Sequence, residues 1–80
     1  MPYISKEKIK ALETRKPQDA GELNYTITKI LLDYLETKGE KYQTYNDIVG
    51  VLESSKLEMY KRKISVYEEG KAIENGDVYY

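Results

Sequence analysis

Thr44–Arg62 reads TYNDIVGVLESSKLEMYKR. A threonine that can cap a helix opens it, and Asp47 adds negative charge near the helix N-terminus. At about 100° per residue, Ile48, Leu52, Ser55 and Met59 share a narrow sector, with Tyr45 at its edge. A second apolar line follows through Leu57, Tyr60, Ile64 and Tyr67. It lies roughly 130° around the helix from the first. One face can pack within the chain; the other needs a second partner.

Working outward, no proline occurs after Thr44, and the next strong stop is Asn75-Gly76. The pattern predicts a long third helix over 44–74, about 45 Å at 1.5 Å per residue. Gly50 and Gly70 weaken it, and Gly70 is the expected place for a break. Residues 75–80 form a short tail. Upstream, DAGE (Asp19–Glu22) has the form of a capping box with Asp19 as the cap. Leu23, Ile27, Ile30, Leu31, Tyr34 and Leu35 then mark one helical face, and Lys38-Gly39 is a stop. Helix 2 is expected over 19–38, about 28 Å long. The short connection favours an antiparallel hairpin in which the third helix overhangs. Residues 1–18 form an N-terminal arm with a short helix from Ser5 to about Thr14, ended by Arg15-Lys16-Pro17. The fold class read here is all-α: a short N-terminal helix or arm, an antiparallel helical hairpin and a long C-terminal helix, in an oligomer.

Eighty residues make one small domain. Such a chain is marginal without a staple or a partner. It has no cysteine and no histidine, so neither a disulfide nor a common structural zinc site is expected, and no cofactor is implied. Self-association is the remaining route to more buried area. The compact three-helix monomer is the alternative. No apolar run approaches the roughly 18 residues of a membrane span, and MPYISKEKIK has no signal-peptide core. A cytoplasmic protein is expected. Thirteen basic and fourteen acidic residues give a net charge of −1, which disfavours nucleic acid as a partner. All nine aromatic residues are tyrosine, which suits a wet interface or a thin core.

Missing His and Cys exclude Ser–His and Cys–His nucleophilic catalysis. Glu53 with Lys56 and Glu58 with Arg62 have ion-pair spacing, which reads as a solvated face rather than an acid–base pair. GKAIENGD matches no nucleotide fingerprint. Lys61-Arg62-Lys63, between Tyr60 and Tyr67, is the one basic cluster with aromatic neighbours. Such residues can hold a phosphate and stack on a base. The plainer reading is that these charges solvate the overhang. Oligomerisation through the third helix would bring several copies of the cluster together.

MPYI, GELNY (Gly21–Tyr25), YQTYNDIVGVLE (Tyr42–Glu53), KLEMYKR (Lys56–Arg62) and YEEGKAIENGDVY (Tyr67–Tyr79) together resemble a family of small bacterial, archaeal and phage proteins classed as a domain of unknown function. The resemblance spans nearly the whole chain. It implies a cysteine near Ser54-Ser55 and a proline near Ser65-Val66; this sequence has neither, which argues against an essential thiol. The matching motifs single out Asn24, Tyr25, Asn46, Glu53, Lys56, Tyr60, Arg62, Tyr67, Asn75 and Asp77. Each can equally be a cap, a stop or a buried hydrogen bond.

The expected function is binding without catalysis by a homo-oligomer. Lys56, Tyr60, Arg62, Lys63 and Tyr67, with Asn24 and Tyr25, are the candidate ligand-binding residues for a small nucleotide or other anion. Glu53, Leu57, Tyr60, Ile64 and Tyr67 are the candidate interface. Phage occurrence suggests sequestration of a host signalling nucleotide. The alternative is an adaptor that binds a partner helix through the apolar face of the third helix.

Overall fold

A computed structural model of the chain describes residues 1–79, which contain helices and no strand. In order they are α1 (Lys6–Ala11), α2 (Ala20–Lys38), α3 (Tyr42–Met59), a π-helical turn (Tyr60–Ile64) and α4 (Ser65–Asn75). Two compact units divide within α3: residues 1–45 and residues 46–80.

In the first unit, local caps fix where the helices begin. Ser5 is extended and its Oγ accepts from the Lys8 amide at 3.3 Å. Asp19 does the same for α2, its Oδ1 accepting from the Glu22 amide at 2.8 Å. Each satisfies one of the amides that a helix start leaves without an intrahelical partner. After Ala11 the chain tightens into two turns, Glu13 N–H to Lys10 O and Thr14 N–H to Ala11 O, both 3.1 Å. Gly39 ends α2 at φ 91°, a conformation open to glycine, while its amide still donates to Leu35 O. The arm runs back over the start of α2: a Cβ at Gly21 would lie 3.3 Å from Ile4 Cγ2. Gly21 therefore permits the close approach.

Thr44 does not cap the third helix, contrary to its sequence signal. The helix begins at Tyr42, and the Tyr45 amide donates to Lys41 O at 3.2 Å. Thr44 lies inside the first turn and is buried, 1% exposed.

In the second unit the helical run does not break at Gly70, which sits inside α4. The irregularity lies upstream instead. At the π turn the Ser65 amide donates to Tyr60 O, five residues back. One extra residue is accommodated there without leaving the helix. The run ends at Gly76, φ 93°, whose amide donates to Ala72 O at 2.9 Å. Beyond it, Asp77 Oδ1 accepts from the Tyr79 amide at 2.8 Å, which bends the tail locally.

Among the described residues no apolar side chain is fully buried; only Glu22 and Thr44 are. The expected inner face of α2 is mostly open: Leu23, Ile27, Ile30 and Tyr34 are exposed, and Leu31 and Leu35 are half-buried. On α3, Leu52 and Met59 are exposed and Ile48 is half-buried.

A methyl group at Gly50 or Gly70 would meet open space within 4 Å. Gly50→Ala and Gly70→Ala should each stabilise the helix by about 1 kcal/mol. Denaturant melts measure this, and a loss of stability at either site would place a neighbouring molecule against that glycine.

Candidate functional site

The most ordered polar cluster is in the first unit. Glu22 sits one turn into α2, and its carboxylate is held from three sides. Arg15 clasps it with both terminal nitrogens, Nη1 to Oε1 at 2.5 Å and Nη2 to Oε2 at 3.2 Å. The Gln18 amide donates to Oε1 at 3.1 Å. Lys8 Nζ lies 4.0 Å from Oε2 and bonds Asp19 Oδ2 at 3.0 Å. Three parts of the chain, α1, the loop and the α2 N-terminus, therefore meet at one carboxylate. Bidentate guanidinium bonds fit carboxylate geometry, and the helix N-terminus favours negative charge.

Electrostatics follow from these contacts. The Arg15 hydrogen bonds hold Glu22 below the usual carboxylate range. Asp19 is lowered by the Glu22 amide and then by Lys8. Lys8 and Arg15 are raised in turn by Asp19 and Glu22. Tyr45 is raised because its hydroxyl donates to Glu40 Oε1 at 2.8 Å. Every buried side-chain polar atom among the described residues has a partner. The clasp is a structural lock in which both carboxylate oxygens of Glu22 have partners.

The sequence marks Arg15 only as part of a helix stop and Glu22 only as part of a capping box, and nothing in it joins them with Lys8. DAGE carried a partial signal, but a capping box sends the glutamate back to the cap's own amide. Here Glu22 bonds Gln18 and Arg15 instead.

The sequence-predicted residues fall in both units. Asn24 and Tyr25 are on α2. Asn24 Oδ1 accepts from Thr28 Oγ1 at 3.2 Å. Tyr25 is half-buried and lines a shallow groove with Ile9, Leu12 and Ile30. Lys56, Tyr60, Arg62, Lys63 and Tyr67 are in the second unit. Lys56 Nζ pairs with Glu53 at 3.0 Å, and Arg62 Nε with Glu58 Oε1 at 3.0 Å. Both pairs are exposed, so each contributes little to stability. Tyr67 meets Lys71, whose Nζ is 5.8 Å from the ring centroid. Arg62 and Lys63 border a shallow depression with Ser54, Ser55, Glu58 and Met59. These last four join the basic turn only because α3 carries them to the same side.

The π turn changes which side chains align. A line drawn at a constant 100° joins Leu57, Tyr60, Ile64 and Tyr67. One added residue turns everything after it back by about 100°. Leu57 and Tyr60 stay on their side, while Ile64 and Tyr67 rotate toward the sector of Ile48, Leu52 and Met59. The straight second stripe becomes a slanted one. Leu57, Tyr60 and Tyr67 are all exposed and Ile64 is half-buried.

No group of His, Cys, Asp and Glu among the described residues could hold a metal ion. No helix among them is long and apolar enough to cross a membrane. The geometry defines a class first: a small all-α chain with capped helices, an N-terminal ionic lock and a basic π turn. Its family follows from comparison. Residues 1–78 match the family model described as a domain of unknown function (DUF6899), and the chain belongs to that family. No curated protein and no solved structure matches the chain.

The lock gives a pH dependence with a definite sign. Glu22 and Asp19 have folded pKa values below their unfolded ones. Their contribution is present above the unfolded values and is lost as pH falls through the lowered folded values, below about pH 4. The protection factor of the Glu22 amide, corrected for its intrinsic exchange rate, should therefore fall on acidification through that window. In Arg15→Ala the loosening should begin at higher pH. An unchanged midpoint in that variant would mean the guanidinium does not hold Glu22.

Proposed function

We propose that this chain is a non-enzymatic, homo-oligomeric binding protein that takes a small anion, of the nucleotide class, at pockets between subunits. The observation that carries the reading is the basic π turn. Lys61, Arg62 and Lys63 follow one another on it, and Arg62 and Lys63 border a depression whose other walls are Ser54, Ser55, Glu58 and Met59. Glu58 engages only the Nε of Arg62, which leaves the guanidinium's outer edge for a phosphate. Tyr67, exposed and carried by the turn toward the side of Met59, supplies a ring face for a base, and Tyr60, on the other side of the helix, would supply one only from another copy. Lys56 lies one turn away and adds positive charge.

One chain offers an open depression, and a phosphate in water gains little from exposed charges. Copies brought together through the second unit would enclose it and concentrate the cations. The exposed apolar side chains on α3 and α4 support that assembly. A cytoplasmic protein that sequesters a signalling nucleotide, as a phage protein could in its host, is the biological role this chemistry suits. The absence of histidine and cysteine fits binding rather than turnover.

A melting screen with cyclic and linear nucleotides and with inorganic phosphate tests the reading. A true ligand should raise the melting temperature progressively, by stabilisation of about 2.7 kcal/mol at a hundredfold excess over Kd. Arg62→Ala and Lys63→Ala should abolish the shift and leave the ligand-free melt in place. If no nucleotide moves the melt of the oligomer, the pocket is wrong. A stable monomer with its apolar side chains exposed would favour the adaptor.

A further inference from the structure

We infer that Asn75-Gly76 is a self-modification site: the Gly76 amide attacks the Asn75 side chain, and the aspartate or isoaspartate that results loosens the end of α4. The site is independent of the anion pocket and of self-association. The chain has three asparagines, Asn24, Asn46 and Asn75, in different settings. Asn24 precedes Tyr25 inside α2, and its Oδ1 accepts from Thr28 Oγ1 at 3.2 Å. Asn46 precedes Asp47 near the start of α3. Asn75 precedes a glycine, is the last residue of α4 and is exposed. Glycine has no Cβ to hold its amide nitrogen away from the preceding side chain.

The chemistry needs only water and a solvent base. The base takes the Gly76 amide proton, and the nitrogen bonds to Asn75 Cγ. The Cγ–Nδ2 bond breaks and ammonia leaves. Water then opens the cyclic imide at either carbonyl. One opening gives aspartate; the other gives isoaspartate, whose main chain runs through the side-chain carbons. The helix cap sets the rate. The Gly76 amide donates to Ala72 O at 2.9 Å, so in the capped state it is held by the helix. Attack on Asn75 requires that bond to open. Helix ends open at small free-energy cost, so the cap slows the reaction without sealing it.

The product opposes the structure that slowed its formation. A neutral amide becomes a carboxylate at the helix C-terminus, where the dipole disfavours negative charge. Glu74 and Asp77 already place two acids beside it. Isoaspartate also lengthens the main chain at the point where the Gly76 amide must reach Ala72 O. Beyond the cap, Val78 and Tyr79 border a shallow depression with Ser65, Glu68 and Ala72, so a loosened cap frees the tail from α4. Loss of ammonia makes the change one-way.

Ageing the full chain in neutral and in mildly alkaline buffer, followed by peptide mapping, tests the site. Cleavage after Lys71 releases residues 72–80, in which Asn75 is the only asparagine. Residue 75 should convert to aspartate and isoaspartate ahead of Asn24 and Asn46, and faster at the higher pH. In urea the conversion should run about tenfold faster, because the cap is gone. Conversion in urea alone would overturn the site, and equal rates with and without urea would overturn the gate. Asn75→Asp carries the product charge and should lower the exchange protection of the Gly76 amide severalfold. Asn75→Gln, neutral and slow to close a ring, should keep both its mass and that protection. Full protection in Asn75→Asp would overturn the loosening by charge.

Discussion

Lack of an apolar interior is the constraint on which everything else depends. Among the described residues the fully buried side chains are a glutamate and a threonine. Ordering a backbone costs about 1–2 kcal/mol per residue, and hydrophobic burial is the main term that offsets it. Leu23, Leu52, Leu57, Met59 and Ile73 give up little of that term while they face water. Isolated helices gain most of their stability from packing an apolar face, and propensity alone leaves them marginal. The proposed self-association would supply the missing cover.

The first unit shows how far polar interactions can substitute. Arg15, Lys8 and the Gln18 amide converge on Glu22 and Asp19, and Gly21 lets Ile4 approach. That lock fixes geometry more than it supplies free energy, because a buried carboxylate first loses its hydration. It gives the arm a single docked position. The second unit has no equivalent. Its pairs, Glu53–Lys56, Glu58–Arg62 and Lys71–Glu74, are all local and exposed. They support the helix and leave its apolar faces unaddressed.

Local chemistry was legible where one side chain decides the outcome. Asp19 reads as a cap and is one, and Ser5, read as the start of the first helix, caps it. Gly39 and Asn75-Gly76 read as stops and take the positive φ that ends each helix. The ion pairs at 53–56 and 58–62 follow from helical spacing alone. Thr44 misled because the Lys41 carbonyl opens the helix three residues earlier, and a threonine side chain carries no mark of that choice. Gly70 misled because a solvated helix tolerates a glycine at modest cost. The π turn left one trace, the five-residue step from Met59 to Ile64, which resembles a change of face until the turn is seen. The Arg15–Glu22 clasp crosses a proline loop, and no periodic pattern encodes it. The proposed binding residues are legible only as charge and aromatic content, because no helical spacing or fingerprint motif marks them.

Membership in the DUF6899 family covers residues 1–78, so the lock, the π turn and the Asn75-Gly76 stop all lie inside the matched region. The central claim concerns cover for the second unit, and sedimentation equilibrium of the unmodified protein tests it most directly. The account predicts a stable multiple of 9.3 kDa that dissociates on dilution together with loss of helical signal. A 9.3 kDa species at every concentration, melting cooperatively with its helix content intact, would contradict it.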